Sequence, residues 1–190
     1  MNLVRLLPVG KVERSLLEGL RSGISKRLKI RCELAEVELD PVLCYHPERQ
    51  QFHSSEILQS MHVMPRPKDC HLLGITGVDL YIPILKYVFG EAQLGGPCAV
   101  VSFHRLRQEF YGLDRDDALL AERLLKECIH ELGHTLDLRH CQGYRCAMAS
   151  AHAVEWIDLR DISLCESCQA QVDSRRSRGK LRAIYKAWRA

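Results

Sequence analysis

The sequence predicts an α+β fold, an α/β-type sandwich in which helices pack against a mixed sheet. Three observations carry this expectation. Short apolar runs bounded by Gly and Pro alternate with helical stripes through the first hundred or so residues, and helices dominate after them. The chain has 190 residues, of which 46% are apolar, enough for one good-sized domain with a buried core. No internal repeat and no low-complexity linker divides it. The expected organisation is therefore a single domain over 1–190, with an N-terminal lobe over 1–140 and a smaller C-terminal lobe over 141–190.

Taken in order, residues 2–7 are apolar enough for a first strand. The stretch Met1 to Gly10 holds one Arg and is punctuated by Pro8 and Gly10, so it does not have the layout of a signal peptide. Residues 12–27 predict a helix, because Leu17, Leu20, Ile24 and Leu28 share one stripe. Residues 28–39 predict a second strand. Residues 40–69, rich in Pro, His and Gln, predict a long excursion from the core with a short helix near 55–61. Residues 71–77 predict a buried strand ending at a Gly turn, and residues 83–90 a strand or turn closing at Gly90. After the break at Gly95-Gly96-Pro97, residues 98–104 predict another strand. Asp114, Asp116 and Asp117 open a long helix, where acidic groups meet the positive end of the helix dipole. Leu120, Leu124, Leu125, Cys128 and Leu132 form its core stripe. The last twenty residues hold seven Lys or Arg against one Asp, with Leu181, Ile184, Tyr185 and Trp188 at helical spacing. A terminal helix docked by one face fits both facts.

Charge and hydropathy exclude some classes of function. A net charge of +3 with no recognition motif gives no case for nucleic-acid binding, and the basic tail reads as the solvated face of a helix. No apolar stretch is long enough to span a membrane. With no export signal visible, a reducing, cytoplasmic compartment is expected, and a monomer. Nine cysteines are many for such a setting. Cys32, Cys44, Cys70, Cys98 and Cys128 are scattered and read as small buried hydrophobes.

The chemistry concentrates in residues 130–168. His130-Glu131-Leu132-Gly133-His134 sets two histidines four residues apart, on one face of a helix. Both imidazoles can address one ion. Glu131 projects to the side, where it can reach a water as general base without being a ligand. A third histidine stands at position 140. A straight helix would carry it roughly 9 Å along the axis from His134, so the chain must turn at 135–138 to bring it back. Three neutral imidazoles leave zinc its charge and one position open. Next come Cys141 and Cys146, then Cys165 and Cys168 as a C-x-x-C pair. Two close pairs separated by a loop suit a closed tetrahedral thiolate site, a structural zinc. Two disulfides, or reduced core cysteines, are the alternatives.

These residues resemble the metzincin zinc signature. The run Cys141, Cys146, Met148, Cys165 and Cys168 is similar to the archaemetzincin branch in particular, as are Leu80-Tyr81 after Asp79, Val88 to Ala92, and Ser102 to Leu106. The resemblance spans about residues 71–168. It implies a metzincin-like mixed twisted sheet with an active-site helix and a zinc-stapled C-terminal lobe. It also implies two zincs per chain: His130, His134 and His140 would hold the catalytic one, and the four cysteines the structural one. Glu131 would be the general base, and Met148, which alone would read as a core residue, would sit in a Met-turn beneath the metal. The implied activity is hydrolysis of peptide bonds in a peptide or protein substrate. The substrate would lie against an edge strand, for which residues 98–104 are the candidate. A zinc-binding protein of the same fold with little or no proteolytic activity is the alternative. One departure stands out. Metzincins usually have Gly three residues after the second His, and here it is Asp137. The turn there is expected to be strained or differently shaped, with its carboxylate available to a ligand imidazole.

Overall fold

In the computed structural model, residues 1–175 are described. The predicted terminal helix, with its stripe from Leu181 to Trp188, lies outside them. The first strand, β1 (Leu3–Val9), leads into helix α1 (Arg14–Leu28) and returns through β2 (Arg31–Leu34). β1 and β2 are parallel, so this is a β-α-β crossover. Of the stretch 28–39, these four residues form the strand.

The excursion after β2 carries a 3₁₀ turn (Val42–Cys44), strands β3 (Tyr45–His46) and β4 (Gln51–His53), and helix α2 (Ser54–His62). It rejoins the core at β5 (Cys70–Thr76). Then follow β6 (Leu80–Tyr81), β7 (Gly90–Ala92), β8 (Cys98–Ser102), α3 (Asp117–Thr135) and α4 (Val154–Leu159). The backbone is helical again over residues 166–175.

The main sheet has the order β2-β1-β5-β8-β7. Its first four strands are mutually parallel, and β7 runs antiparallel to β8. A second small sheet, β3-β4-β6, belongs to the excursion. Alternation along the strands sorts side chains onto two faces. Val4 and Leu6, Leu73 and Ile75, and Ala99 and Val101 meet α1 and α3 through Leu20, Ile24, Leu124 and Leu132. Leu7 and Val9, Leu72, and Cys98 and Val100 meet α2 through Ile57, Leu58 and Met61. A sheet covered on both faces explains why β1, β5 and β8 read as continuous apolar runs. A third, smaller cluster gathers Leu138, Cys146, Met148, Cys168 and Val172.

This packing corrects one expectation. Residues 98–104 do not form the edge strand. All five residues of β8 are buried, and β8 pairs with β5 on one side and β7 on the other. The edge on this side is β7, a half-buried strand of three residues that begins at Gly90, where the stretch 83–90 was expected to close. A strand apolar on both faces belongs inside a sheet.

The five scattered cysteines are all buried and free, as small hydrophobes are expected to be. No helix among the described residues is long and apolar enough to cross a membrane.

Candidate metal centre

α3 is the element that builds the site. It starts where the aspartates predict: the Asp116 side chain caps it by accepting from the Leu119 N–H at 2.8 Å. Its C-terminal half is buried on nearly every side, so His130, Glu131 and Gly133 are all carried into the interior.

The end of α3 determines where His140 goes. Asp137 takes a left-handed conformation with φ of 66°. The Asp137 N–H donates to the His134 carbonyl at 2.8 Å, and the Leu138 N–H to the Gly133 carbonyl at 3.1 Å. Those two bonds make a Schellman ending, the turn a glycine would normally supply. Aspartate fills it because its short polar side chain tolerates this region better than most residues. The Asp137 carboxylate does not reach an imidazole. It pairs with Arg175 Nη1 at 2.7 Å, while the Asp137 Cβ lies 3.3 Å from where a Cβ on Gly95 would stand.

The turn brings the three histidines together, with a donor atom of each within 4.8 Å of the others. His134 Nδ1 lies 2.7 Å from the Leu138 carbonyl, which can only accept. Nδ1 therefore carries the proton, and Nε2 is a bare lone pair. That lone pair faces His130 Nε2 at 3.1 Å. His130 Nδ1 lies 2.8 Å from both the Ala147 carbonyl and Arg160 Nη1. If Nδ1–H donates to the carbonyl, both Nε2 atoms are bare, and no donor among the described residues faces either, an arrangement that suits a shared cation. If Nδ1 accepts from Arg160, a proton on Nε2 takes the place of that cation. Neighbouring nitrogens on one tetrahedral zinc stand about 3.3 Å apart, so the donor set fits zinc. Burial lowers the pKa of all three histidines, aided at His130 by the Arg160 charge, and so keeps them in the neutral ligand form.

Glu131 is buried against the edge strand. A Cβ added to Gly90 would stand 2.8 Å from Glu131 Oε1 and equally close to the Val100 carbonyl oxygen, so only glycine admits the carboxylate here. Burial, reinforced by the charge of Glu127, pushes the Glu131 carboxyl well above the usual carboxylate range. A cleft of about 800 Å³ opens over this group, lined by Leu85, Tyr87 and Leu94 and by Arg139 and His152, with the Tyr87 hydroxyl donating to the His152 carbonyl at 2.8 Å. Met148 is fully buried, and its Sδ packs onto the Cα of Gly133.

The four cysteines also converge, with sulfurs within 4.8 Å of one another. The Cys141 and Cys165 Sγ atoms are 3.8 Å apart, and none of the four is in a disulfide. Sulfurs on one tetrahedral zinc at the usual bond length are separated by about 3.8 Å. Backbone N–H groups of Gly143, Met148 and Cys165 point at these sulfurs from 3.3–3.4 Å. The Cys168 backbone N–H holds the Cys165 thiol down at about 7, which favours a thiolate.

Sequence reasoning missed Gly90, Glu127 and Arg160. Arg160 is 2% exposed and donates to Glu127 Oε1 and to the Ala149 carbonyl at 2.8 Å. It thereby straps α3 to the backbone on either side of Met148. Glu127 lies one turn before His130 on α3, which was the available signal. Arg160 follows a short helix with no periodic cue.

A family model, peptidase family M54, matches residues 47–174. The archaemetzincin of Methanocaldococcus jannaschii is 39% identical over 168 residues, spanning 88% of this chain and 91% of its own. That of Thermococcus kodakarensis is 35% identical over 182 residues, spanning 90% and 96%. Among solved structures, a zinc-dependent peptidase from Methanocorpusculum labreanum superposes with a TM-score of 0.82 at 27% identity, covering 89% of this chain and 99% of its own. The archaemetzincin of Archaeoglobus fulgidus, complexed with malonate, gives 0.77 at 32% identity, with coverage of 89% and 99%.

Proposed function

The chain belongs to peptidase family M54, the zinc metallopeptidases that include the archaemetzincins, and on that premise we propose that His130, His134 and His140 hold its catalytic zinc while Glu131 serves as general base. The observation that carries this reading is the pair of facing Nε2 atoms, 3.1 Å apart, one of them bare by necessity. Zinc held by three neutral imidazoles supplies Lewis acidity, which polarises a carbonyl and acidifies a water.

The remaining work falls to side chains and backbone. Glu131 takes the proton from the attacking water on a carboxylate oxygen and passes it to the leaving amine. Its buried setting, with a raised pKa, suits a group that must both accept and return a proton near neutral pH. The Ala147 and Leu138 carbonyls orient His130 and His134 through Nδ1. Met148 supports α3 from below at Gly133. An extended peptide substrate binds along β7, whose outer edge has no strand partner among the described residues. The apolar lining at Leu85, Tyr87 and Leu94 takes a substrate side chain.

We assign a second, structural zinc to Cys141, Cys146, Cys165 and Cys168, so that the protein carries two. It fastens the loop that holds His140 and Met148 to the helical segment over 166–175. The small apolar cluster around Cys146, Met148, Cys168 and Val172 supports reading residues from 141 onward as a smaller C-terminal lobe, one that is joined to the main core through Val154 and Ile157 of α4.

Glu131→Ala tests the central role. The variant is expected to retain both zincs by metal analysis and to lose cleavage of a broad peptide library. Undiminished cleavage refutes the assignment of Glu131. A wild-type protein that holds zinc yet cuts nothing in the library favours a binding function over peptidase activity.

A further inference from the structure

Away from the cleft, three more side chains converge. His46 ends β3, His53 ends β4 and stands at the N-cap of α2, and Glu56 lies in the first turn of that helix. A donor atom of each lies within 4.8 Å of the others. Glu56 Oε1 is 3.0 Å from His53 Nδ1, and Glu56 Oε2 is 3.5 Å from His46 Nε2.

Hydrogen bonding accounts for only part of this arrangement, the long contact between His46 Nε2 and Glu56 Oε2. Both ring nitrogens of His53 are closed off from solvent, and neither has a hydrogen-bond partner. The Nδ1–Oε1 contact is short but off the line of a hydrogen bond. The His53 side chain makes no capping bond to α2. A neutral imidazole has one bare nitrogen, and that sheltered lone pair of His53 is left without a donor unless a cation takes it up. Separations of 3.0 and 3.5 Å are close to those of neighbouring ligands on one cation, about 3.0–3.4 Å.

The rings are also held. β4 pairs with β6 so that His53 stands opposite Tyr81. The Tyr81 ring stacks on His53 at 5.1 Å and 25°, and meets His46 edge-on at 5.5 Å. The hairpin register keeps His46 beside Gln51, two residues from His53 on the same face. Neither histidine depends on a flexible loop for its position.

We propose that His46, His53 and Glu56 form an accessory binding site for a divalent cation of the zinc class. Two imidazoles and one carboxylate suit zinc and its first-row neighbours, and half-exposed His46 and Glu56 leave positions open to water. Such a cation clamps the β3–β4 hairpin to the start of α2. The next two residues, Ser54 and Ser55, donate their hydroxyls to Glu91 of β7. Glu91 lines the cleft, so the clamp steadies the edge strand on which substrate would lie. The ligand set shares no residue with the histidine or cysteine clusters, so it stands apart from the reading of those sites.

The test uses the full chain, first saturated with zinc and dialysed, then titrated calorimetrically with zinc alone. One further equivalent is expected, weaker than the retained metal. His46→Ala and Glu56→Gln should each weaken that equivalent by about tenfold or more, leaving the retained zinc and the circular dichroism unchanged. Amides over 54–58 should exchange more slowly in the zinc-titrated wild type, and not in either variant. No further equivalent, or one that survives both substitutions, overturns the site and leaves His53 and Glu56 as a local contact at the helix start.

Discussion

At the residue scale, single positions decide whether the proposed chemistry has room. Gly90 is one. Its missing Cβ is where the Glu131 carboxylate lies, and the Val100 carbonyl closes the other side. Gly90→Ala should therefore displace either Glu131 or the edge strand. A misplacement near 1 Å at a reacting group costs on the order of a hundredfold in rate. The expected outcome is a fall of about that size in kcat/KM with zinc content unchanged, read by peptide hydrolysis and metal analysis. Equal activity would mean that Glu131 does not act from this position. Asp137 is the other such position. The sequence marked it as a departure from glycine, and the structure resolves it as a left-handed residue that completes the turn. The residue type was legible; the partner was not. Arg175 lies 38 positions further along the chain, and nothing in local spacing points to it.

Among elements, α3 is bonded to α4 and to the loop before it by a set of charged side chains. Arg123 forms two bonds to the Asp158 carboxylate, at 2.7 and 2.6 Å, and a third to the Leu106 carbonyl. Lys126 reaches the Asp158 carbonyl at 3.0 Å. Arg160 closes the row on Glu127, deep beneath His130. Glu127 is wholly buried, and burial raises its pKa against the pull of Arg160. Arg160→Met should leave a buried carboxylate unpaired and cost about 3–5 kcal/mol in stability. Removing both partners, with Glu127→Leu added, should recover much of that loss, because the desolvated charge disappears with its partner. Denaturant unfolding of the two single variants and the double variant measures it. Equal losses in the Arg160 single and the double variant would mean that the strap to Ala149, not the ion pair, carries the stability. The length and stripe of α3 were readable from the sequence. This underside was not, because its charged partners, Asp158 of α4 and Arg160 just after it, come far later in the chain.

For the molecule as a whole, His71 links the sheet to the end of the metal-bearing helix. Thr135 Oγ1 donates to the Leu132 carbonyl at 2.7 Å and accepts from His71 Nδ1 at 2.9 Å. Burial, helped by the positive N-terminus and Arg66, lowers the His71 pKa from 6.5 to about 4. The folded protein thus binds fewer protons here than the unfolded chain between those values. Stability should rise with pH across that window, and be lost as pH falls from 6.5 through 4. His71→Asn should flatten the pH dependence of Tm over this range relative to wild type. The difference between the two proteins isolates His71 from the zinc ligands, which also gain protons in acid. Parallel curves would refute the assignment.

The sequence by itself determined what short-range periodicity can encode. An i, i+4 pair of histidines on a capped amphipathic helix, close cysteine pairs, and the apolar runs of β1, β5 and β8 all follow from spacing along the chain. The apolar run of β8 already spoke for an interior strand, but only the tertiary structure showed that β7, three residues with no apolar run of their own, forms the edge beside it. It alone brought Arg160 to Glu127, Gly90 to Glu131, and His46 to His53 and Glu56. The physical reason is common to all of these. Helix faces and metal-ligand spacings are set by backbone geometry within a few residues. Desolvated ion pairs, close approaches and strand order depend on which distant segments the core brings into contact.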